Sequence, residues 1–228
     1  MSKFDGFADA GGKFFKALAK HNDREWFAAH KQEFEEGWNA PMKLLLGEVR
    51  DAIDRSFAHC DLGEPKVFRI FRDVRFSKDK SPYKTNIGGV IPLQRTGKSV
   101  TDVPMALYFQ VGATETFAAA GHYMMGPESL ARYRAAIDDN ARGKELEKLL
   151  AKLDKKGFPA RSYESVKRVP KGYEPDHPRE DLIRRKGLVV MFPALPKGIL
   201  TSSKLTKRLA DGCKAAAPFV EWLVFATA

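Results

Sequence analysis

The chain has 228 residues, 43% of them hydrophobic and 11% aromatic, which excludes a disordered tail or fibrous repeat and leaves one large domain or two small ones. Its formal charge of +10 favours anionic partners: a phosphorylated or carboxylated small molecule, nucleic acid or an anionic surface, with solubility alone as the plain alternative. Two cysteines, Cys60 and Cys213, cannot build a disulfide framework, and no apolar run reaches the ~18–20 residues of a membrane span.

The opening MSKFDGFADAGG has acids and no apolar signal core, so a cytoplasmic location without a membrane partner is expected. Residues 1–60 read as helices. Phe14, Phe15 and Leu18 form an apolar stripe. In NDREWF, Asn22 stands where a helix N-cap would, with Glu25 three residues on in the capping-box arrangement. Trp26, Phe27, His30 and Phe34 then share one helical face, and Pro41 opens a third helix carrying Met42, Leu45, Leu46, Val49, Ile53 and Phe57.

From about residue 66 the period changes. KVFRIFRDVRF alternates, and GGVIPL, PMALYFQVG and ETFAAAGHYM are apolar runs between glycines and prolines. Short connections make these strands mostly antiparallel. Gly126-Pro127 opens a helix with Leu130, Tyr133 and Ile137. Leu146, Leu149, Leu150 and Leu153 mark another, closed by Gly157. HPREDLIRRKG is a short helix with cations at its C-terminal end, LVVMFPAL a fifth strand, and a final helix beginning near Thr201 to Ser203 is expected to break near Gly212 or Pro218. Helices, then strands, then helices indicate an α+β fold around a sheet of about five strands, and the absence of linkers and repeats favours one domain over 1–228.

The charge is concentrated. Residues 61–100 carry 9 basic and 4 acidic side chains, and residues 151–210 carry 15 and 6, while the rest of the chain is slightly acidic. Two excesses invite the expectation that these segments meet in one basic surface. Several motifs fail. GKS at 97–99 has Pro92 where a phosphate loop needs glycine, and no helix follows. Ser77 and Lys80 satisfy S-x-x-K, but no S-D-N accompanies them. His21, His30, His59, His122 and His177 make no metal-ligand spacing, so neither a metal nor another cofactor is expected.

NDREWF at 22–27, FRIFRDVRFSKDKSPYKTN at 68–86 and KRVPKGYEPDHP at 167–178 resemble the signatures of a widespread bacterial family of conserved hypothetical proteins, a domain of unknown function. The resemblance spans essentially the whole chain. The family hallmark resembles R-x-x-R-D-x-R-F-S-x-D-K-x-P-Y-K, which falls here on Arg69, Arg72, Asp73, Arg75, Phe76, Ser77, Asp79, Lys80, Pro82, Tyr83 and Lys84.

Read as a strand, 67–77 places Arg69, Phe71, Asp73 and Arg75 on one face and Arg72 among Phe68, Ile70, Val74 and Phe76 on the other. A guanidinium among apolar neighbours must be paired, at a cost of several kcal/mol otherwise. Arg69 and Arg75 then look outward over Asp73, and SKDKSPYKTN forms a turn presenting Tyr83 and Lys84. The second basic stretch repeats the character with Lys167, Arg168, Lys171 and Tyr173 around Pro170-Gly172. The candidate ligand-binding set is Arg69, Arg72, Asp73, Arg75, Ser77, Lys80, Tyr83, Lys84, Lys167, Arg168, Lys171 and Tyr173. Lys80, Tyr83 and His122 are the candidate acid–base groups.

Three readings stay open. One is a basic pocket for a small phosphorylated or carboxylated ligand, enzymatic if those groups act on it. The second is nucleic-acid binding through cations interleaved with aromatics. The third is an interaction domain whose arginines are paired internally.

Overall fold

The structure, a computed structural model, describes residues 3–75, 78–93 and 103–227. Its N-terminal layer comprises α1 (Lys13–Lys20), α2 (Arg24–Ala29), α3 (Lys31–Phe34), a π-helical turn over Glu35–Asn39 and α4 (Ala40–Ile53). Six strands follow the α+β expectation: β1 (Lys66–Val67), β2 (Asn86–Pro92), β3 (Met105–Gly112), β4 (Thr116–His122), β5 (Ala160–Arg161) and β6 (Leu188–Met191). Between them lie α5 (Pro127–Asp138), α6 (Asn140–Asp154) and α7 (Glu180–Arg184), and α8 (Lys204–Thr227) ends the chain. The sheet is antiparallel throughout, in the order β1-β2-β3-β4-β6-β5.

The two faces of this sheet differ. Ile87, Ile91, Leu107, Phe109, Val111, Ala118, Ala120, Leu188 and Val190 join the main core with the buried faces of α1, α4, α5 and α8. Gly89 permits this closeness, since a Cβ there would lie 2.4 Å from Leu46 Cδ1 of α4. The alternate residues Val90, Met105, Ala119, Val189 and Met191 form a separate small cluster with Phe68, Tyr108 and Phe117. Period-2 alternation sets this division in β2, β4 and β6, whereas in β3 an irregularity between Met105 and Tyr108 carries Met105 onto the face of Tyr108. The helices cover one face of the sheet, and among the described residues no helix covers the other.

Three local expectations change. Asp23, not Asn22, caps α2 by accepting the Trp26 N–H at 2.8 Å, so there is no capping box with Glu25. Asn22 is used elsewhere, as described below. Of the strand expected over 66–77, the described residues pair as a ladder only at Lys66–Val67, because hydrogen bonding passes to a hairpin-like closure on residues 82–84. Finally, α8 runs unbroken through Gly212 and Pro218. Ala216, Ala217, Phe219 and Val220 are buried on either side of that proline. Their burial offsets the roughly 3 kcal/mol that an interior proline costs.

Candidate functional site

The hallmark segment is a loop braced from within. Arg72 N–H donates to the Pro82 carbonyl at 2.9 Å and Lys84 N–H to that of Ile70 at 2.8 Å, with Phe71 opposite Tyr83. Arg72 pairs with Asp79 and donates to Ser81 Oγ at 2.8 Å. Asp79 in turn accepts from the Ser81 N–H at 2.9 Å and its hydroxyl at 2.7 Å. Arg75 grips Asp73 through Nε at 3.0 Å and Nη2 at 2.7 Å. Lys80 Nζ donates to the Val74 carbonyl at 2.9 Å. The requirement that Arg72 be paired is met, but its side chain is 36% exposed rather than enclosed by apolar groups. Ser77 and Phe76 lie outside the described residues, as does the 97–99 GKS stretch.

Asn22 supplies the outer clamp. Its Nδ2 donates to the Tyr83 carbonyl and its Oδ1 accepts the Tyr83 N–H, both at 3.0 Å. Phe27 stacks on the Tyr83 ring with centroids 4.2 Å apart. NDREWF and SPYK are therefore two halves of one bracket, which explains why both stand out in the sequence. Tyr83 is buried within it. His122 is also fully buried: it pairs in register with Leu188, a main-core residue, and so faces the helical layer rather than the bare face.

The loop carboxylates provide a direct check. Hydrogen bonds from Arg75 hold Asp73 down to about 2, and those from Ser81, then Arg72, hold Asp79 at about 2. A depressed folded value means the contribution to order is present above the ordinary aspartate value of about 3.9 and is lost as pH falls toward 2. Carboxyl-carbon NMR should show both residues titrating near the lower value. Midpoints near 4 for both would mean that the braces do not form in solution.

The two basic segments do not converge. Residues 68–84 leave the β1 edge, whereas Lys167, Arg168, Lys171 and Tyr173 follow β5 at the opposite edge. Five inter-strand spacings of about 4.8 Å put these edges about 24 Å apart. Arg168 and Lys171 are exposed there, Gly172 takes a left-handed φ of 96° in the expected turn, and Tyr173 is half-buried. Burial first, then Asp138, raises the Tyr173 hydroxyl.

Sequence reasoning missed a concavity beside the hallmark segment. A groove of ≈ 340 Å³ lies on the bare face of the sheet. Val90, Met105, Ala119 and Val189 form its floor, and Phe68, Phe117, Tyr123 and Tyr163 its sides. Phe68, Tyr108 and Phe117 follow one another with centroids 6.2 and 5.6 Å apart, and Tyr123 and Tyr163 meet at 5.0 Å. At the β2 end the groove opens into a polar chamber of ≈ 200 Å³ lined by Lys84, Asn86, Gly88, Tyr108 and Gln110. Tyr108 donates to Gln110 Oε1 at 2.7 Å, and Gln110 Nε2 to Glu115 at 3.4 Å. Burial pushes the Tyr108 hydroxyl up to about 12, so it remains a neutral donor. Lys84 Nζ stands 5.9 Å from the Phe68 ring centre, and burial, then nearby Arg69, lowers its ammonium. Among the described residues, neither the Lys84 ammonium nor the Arg69 guanidinium makes a close ion pair with a carboxylate, although Arg69 acts on Asp73 at longer range. Within β3, the alternation of Tyr108 and Gln110 against Leu107, Phe109 and Val111 could have signalled this face, but Met105 joins it only through the irregularity between Met105 and Tyr108.

Among the described residues no group of three or more His, Cys, Asp or Glu side chains could hold a metal, and no helix is long and apolar enough to cross a membrane. A family model described as conserved hypothetical protein (DUF2461) matches residues 11–222. No curated protein matches the chain.

Proposed function

We propose that this chain, which belongs to the DUF2461 family of conserved hypothetical proteins, binds a small amphipathic ligand bearing a carboxylate or phosphate. The apolar body lies along the aromatic groove, and the anionic head meets Lys84 at its polar end, with Arg69 near enough to act on the Lys84 ammonium. The observation that carries this reading is the division of labour within the hallmark. Arg72, Arg75 and Lys80 are consumed by Asp79, Asp73 and the Val74 carbonyl, and they hold the loop. Lys84 alone of the loop lysines lines the polar chamber.

The energetics are consistent with binding. A half-buried ammonium depressed by desolvation and a neighbouring cation regains stability when an anion arrives. An apolar concavity with a few convergent polar groups is the usual form of a ligand site. Tyr108, Asn86 and Gln110 supply neutral donors and acceptors that fix the head's orientation.

Anilinonaphthalene sulfonate, an aromatic anion whose fluorescence rises in apolar surroundings, is a suitable probe. It should bind saturably and be displaced by decanoate, and Lys84→Glu should weaken it by about tenfold or more, equivalent to about 1.4 kcal/mol. Equal affinity for Lys84→Glu and the native chain would defeat the assignment of the head. The aromatic side walls could also stack bases. A single-stranded oligonucleotide that displaced the probe, with affinity falling steeply in salt, would favour a nucleic-acid surface instead.

A further inference from the structure

The second basic segment builds a site of its own. Beyond the far edge of the sheet, residues 164–166 pair with 184–186: Val166 N–H donates to the Arg184 carbonyl and Lys186 N–H to that of Glu164, both at 2.9 Å. Beside this ladder lies an open cleft of ≈ 630 Å³ that includes Arg161, Ser162, Ser165, Lys167, Arg184 and Arg185. Its single acid, Asp181, is already bonded to Arg184, and nearby Glu164 is taken by Lys186 Nζ at 2.9 Å.

Arg185 is the informative residue. It is half-buried, and its Nη1 is closed off from the surface without a hydrogen-bond partner. Among the described residues its guanidinium has no acid or carbonyl acceptor. Its charge reaches the fully buried Tyr133, which lies close enough to feel both Arg185 and Arg134. Solvated surface lysines need no counter-charge, but a half-buried guanidinium does. Arg161 and Lys167, also without acid partners among the described residues, flank the same cleft.

We infer that this cleft is a second anion site, separate from the groove, which takes the diphosphate group of a small molecule. Three uncompensated cations at separate points suit a polyanion better than a single carboxylate. The exposed Arg161 can donate to phosphate oxygens through two parallel N–H groups, the Ser165 hydroxyl stands in the same cleft as a further donor, and Arg185, whose Nη1 is enclosed, adds its charge and the rest of its guanidinium.

Pyrophosphate is the probe. Titration calorimetry of the full chain at constant ionic strength should give one saturable event that decanoate does not compete with. Arg185→Met should weaken it by roughly tenfold, as should the paired change Arg161→Met with Lys167→Met. The paired change lies on exposed side chains, so it decides the matter if Arg185→Met does not fold. Absence of saturable binding would overturn the inference. So would undiminished affinity in the folded variants, or binding of a single-stranded oligonucleotide without binding of pyrophosphate. Loss of decanoate binding alone would count against the groove and leave this cleft standing.

Discussion

Gly187→Ala is expected to lower stability by about 3 kcal/mol, or roughly 6–12 °C in Tm for a chain of this size. A Cβ at Gly187 would lie 2.0 Å from the Tyr123 oxygen, 2.7 Å from its carbonyl carbon and 2.9 Å from the His122 oxygen. All three are backbone atoms, so no rotamer change relieves the overlap. The chains approach this closely where β4 meets β6, with Gly121 beside Val189 and His122 beside Leu188. Gly121 itself has φ +128° and leaves no space for a Cβ, which would be 2.4 Å from the Leu188 oxygen. Separating the strands would also displace Tyr123, a side wall of the groove. Gly47→Ala is the contrast. It lies inside α4 with nothing within 4 Å of the new methyl group, and should stabilise by up to about 1 kcal/mol. Urea unfolding that placed Gly187→Ala within 1 kcal/mol of the native chain would contradict the close β4–β6 packing.

The second large effect is expected at Arg179. Its side chain is 6% exposed and completes the C-terminal end of α5. Nε donates to the Ile137 carbonyl at 2.8 Å, Nη2 reaches that of Asp138 at 3.4 Å, and Nη1 lies 3.7 Å from Glu147. The last carbonyls of a helix have no partners within it, and a cation there also opposes the dipole. Charge-assisted bonds of this kind contribute about 1.5–3 kcal/mol each. The two longer contacts add less, so Arg179→Met should cost about 3 kcal/mol in urea unfolding. Gly143 makes the room: a Cβ there would lie 2.4 Å from Arg179 Nε and 2.4 Å from the Ile137 oxygen. Gly143→Ala should therefore destabilise α6 docking although alanine is the better helix former. The double variant should lose less than the sum, because both changes act on one contact. Strict additivity would mean that Arg179 and Gly143 do not share it.

These glycines and Arg179 also mark where sequence reading stops. The α+β order, the strands at GGVIPL and PMALYFQVG and the helix opened at Pro127 were legible, because periodicity and proline–glycine punctuation are local signals. That Arg72 is paired was legible, although the reason, burial among apolar neighbours, does not hold for a side chain 36% exposed. The partner was not legible, since Asp79 approaches only because the loop folds back at Ser81-Pro82. Asn22 reads equally well as a helix cap or as a clamp, and its contact with Tyr83 lies 61 residues away. The separation of the two basic segments depended on strand order, which charge counts do not contain. The groove was hidden for a related reason. The runs in β2 and β3 are apolar on both faces, as in a sheet covered twice, and only the helix placement shows which face is bare.

The central claim is that the bare face of the sheet is the ligand site. Methionine methyl NMR tests it most directly, because Met105 lies in the groove while Met42 is fully enclosed in the core. Titration with decanoate should shift the Met105 methyl saturably, leave Met42 in place, and require markedly more ligand when Lys84 is replaced by glutamate. A Met105 signal that stays fixed through saturating decanoate, or one that moves identically in the Lys84→Glu chain, would contradict it.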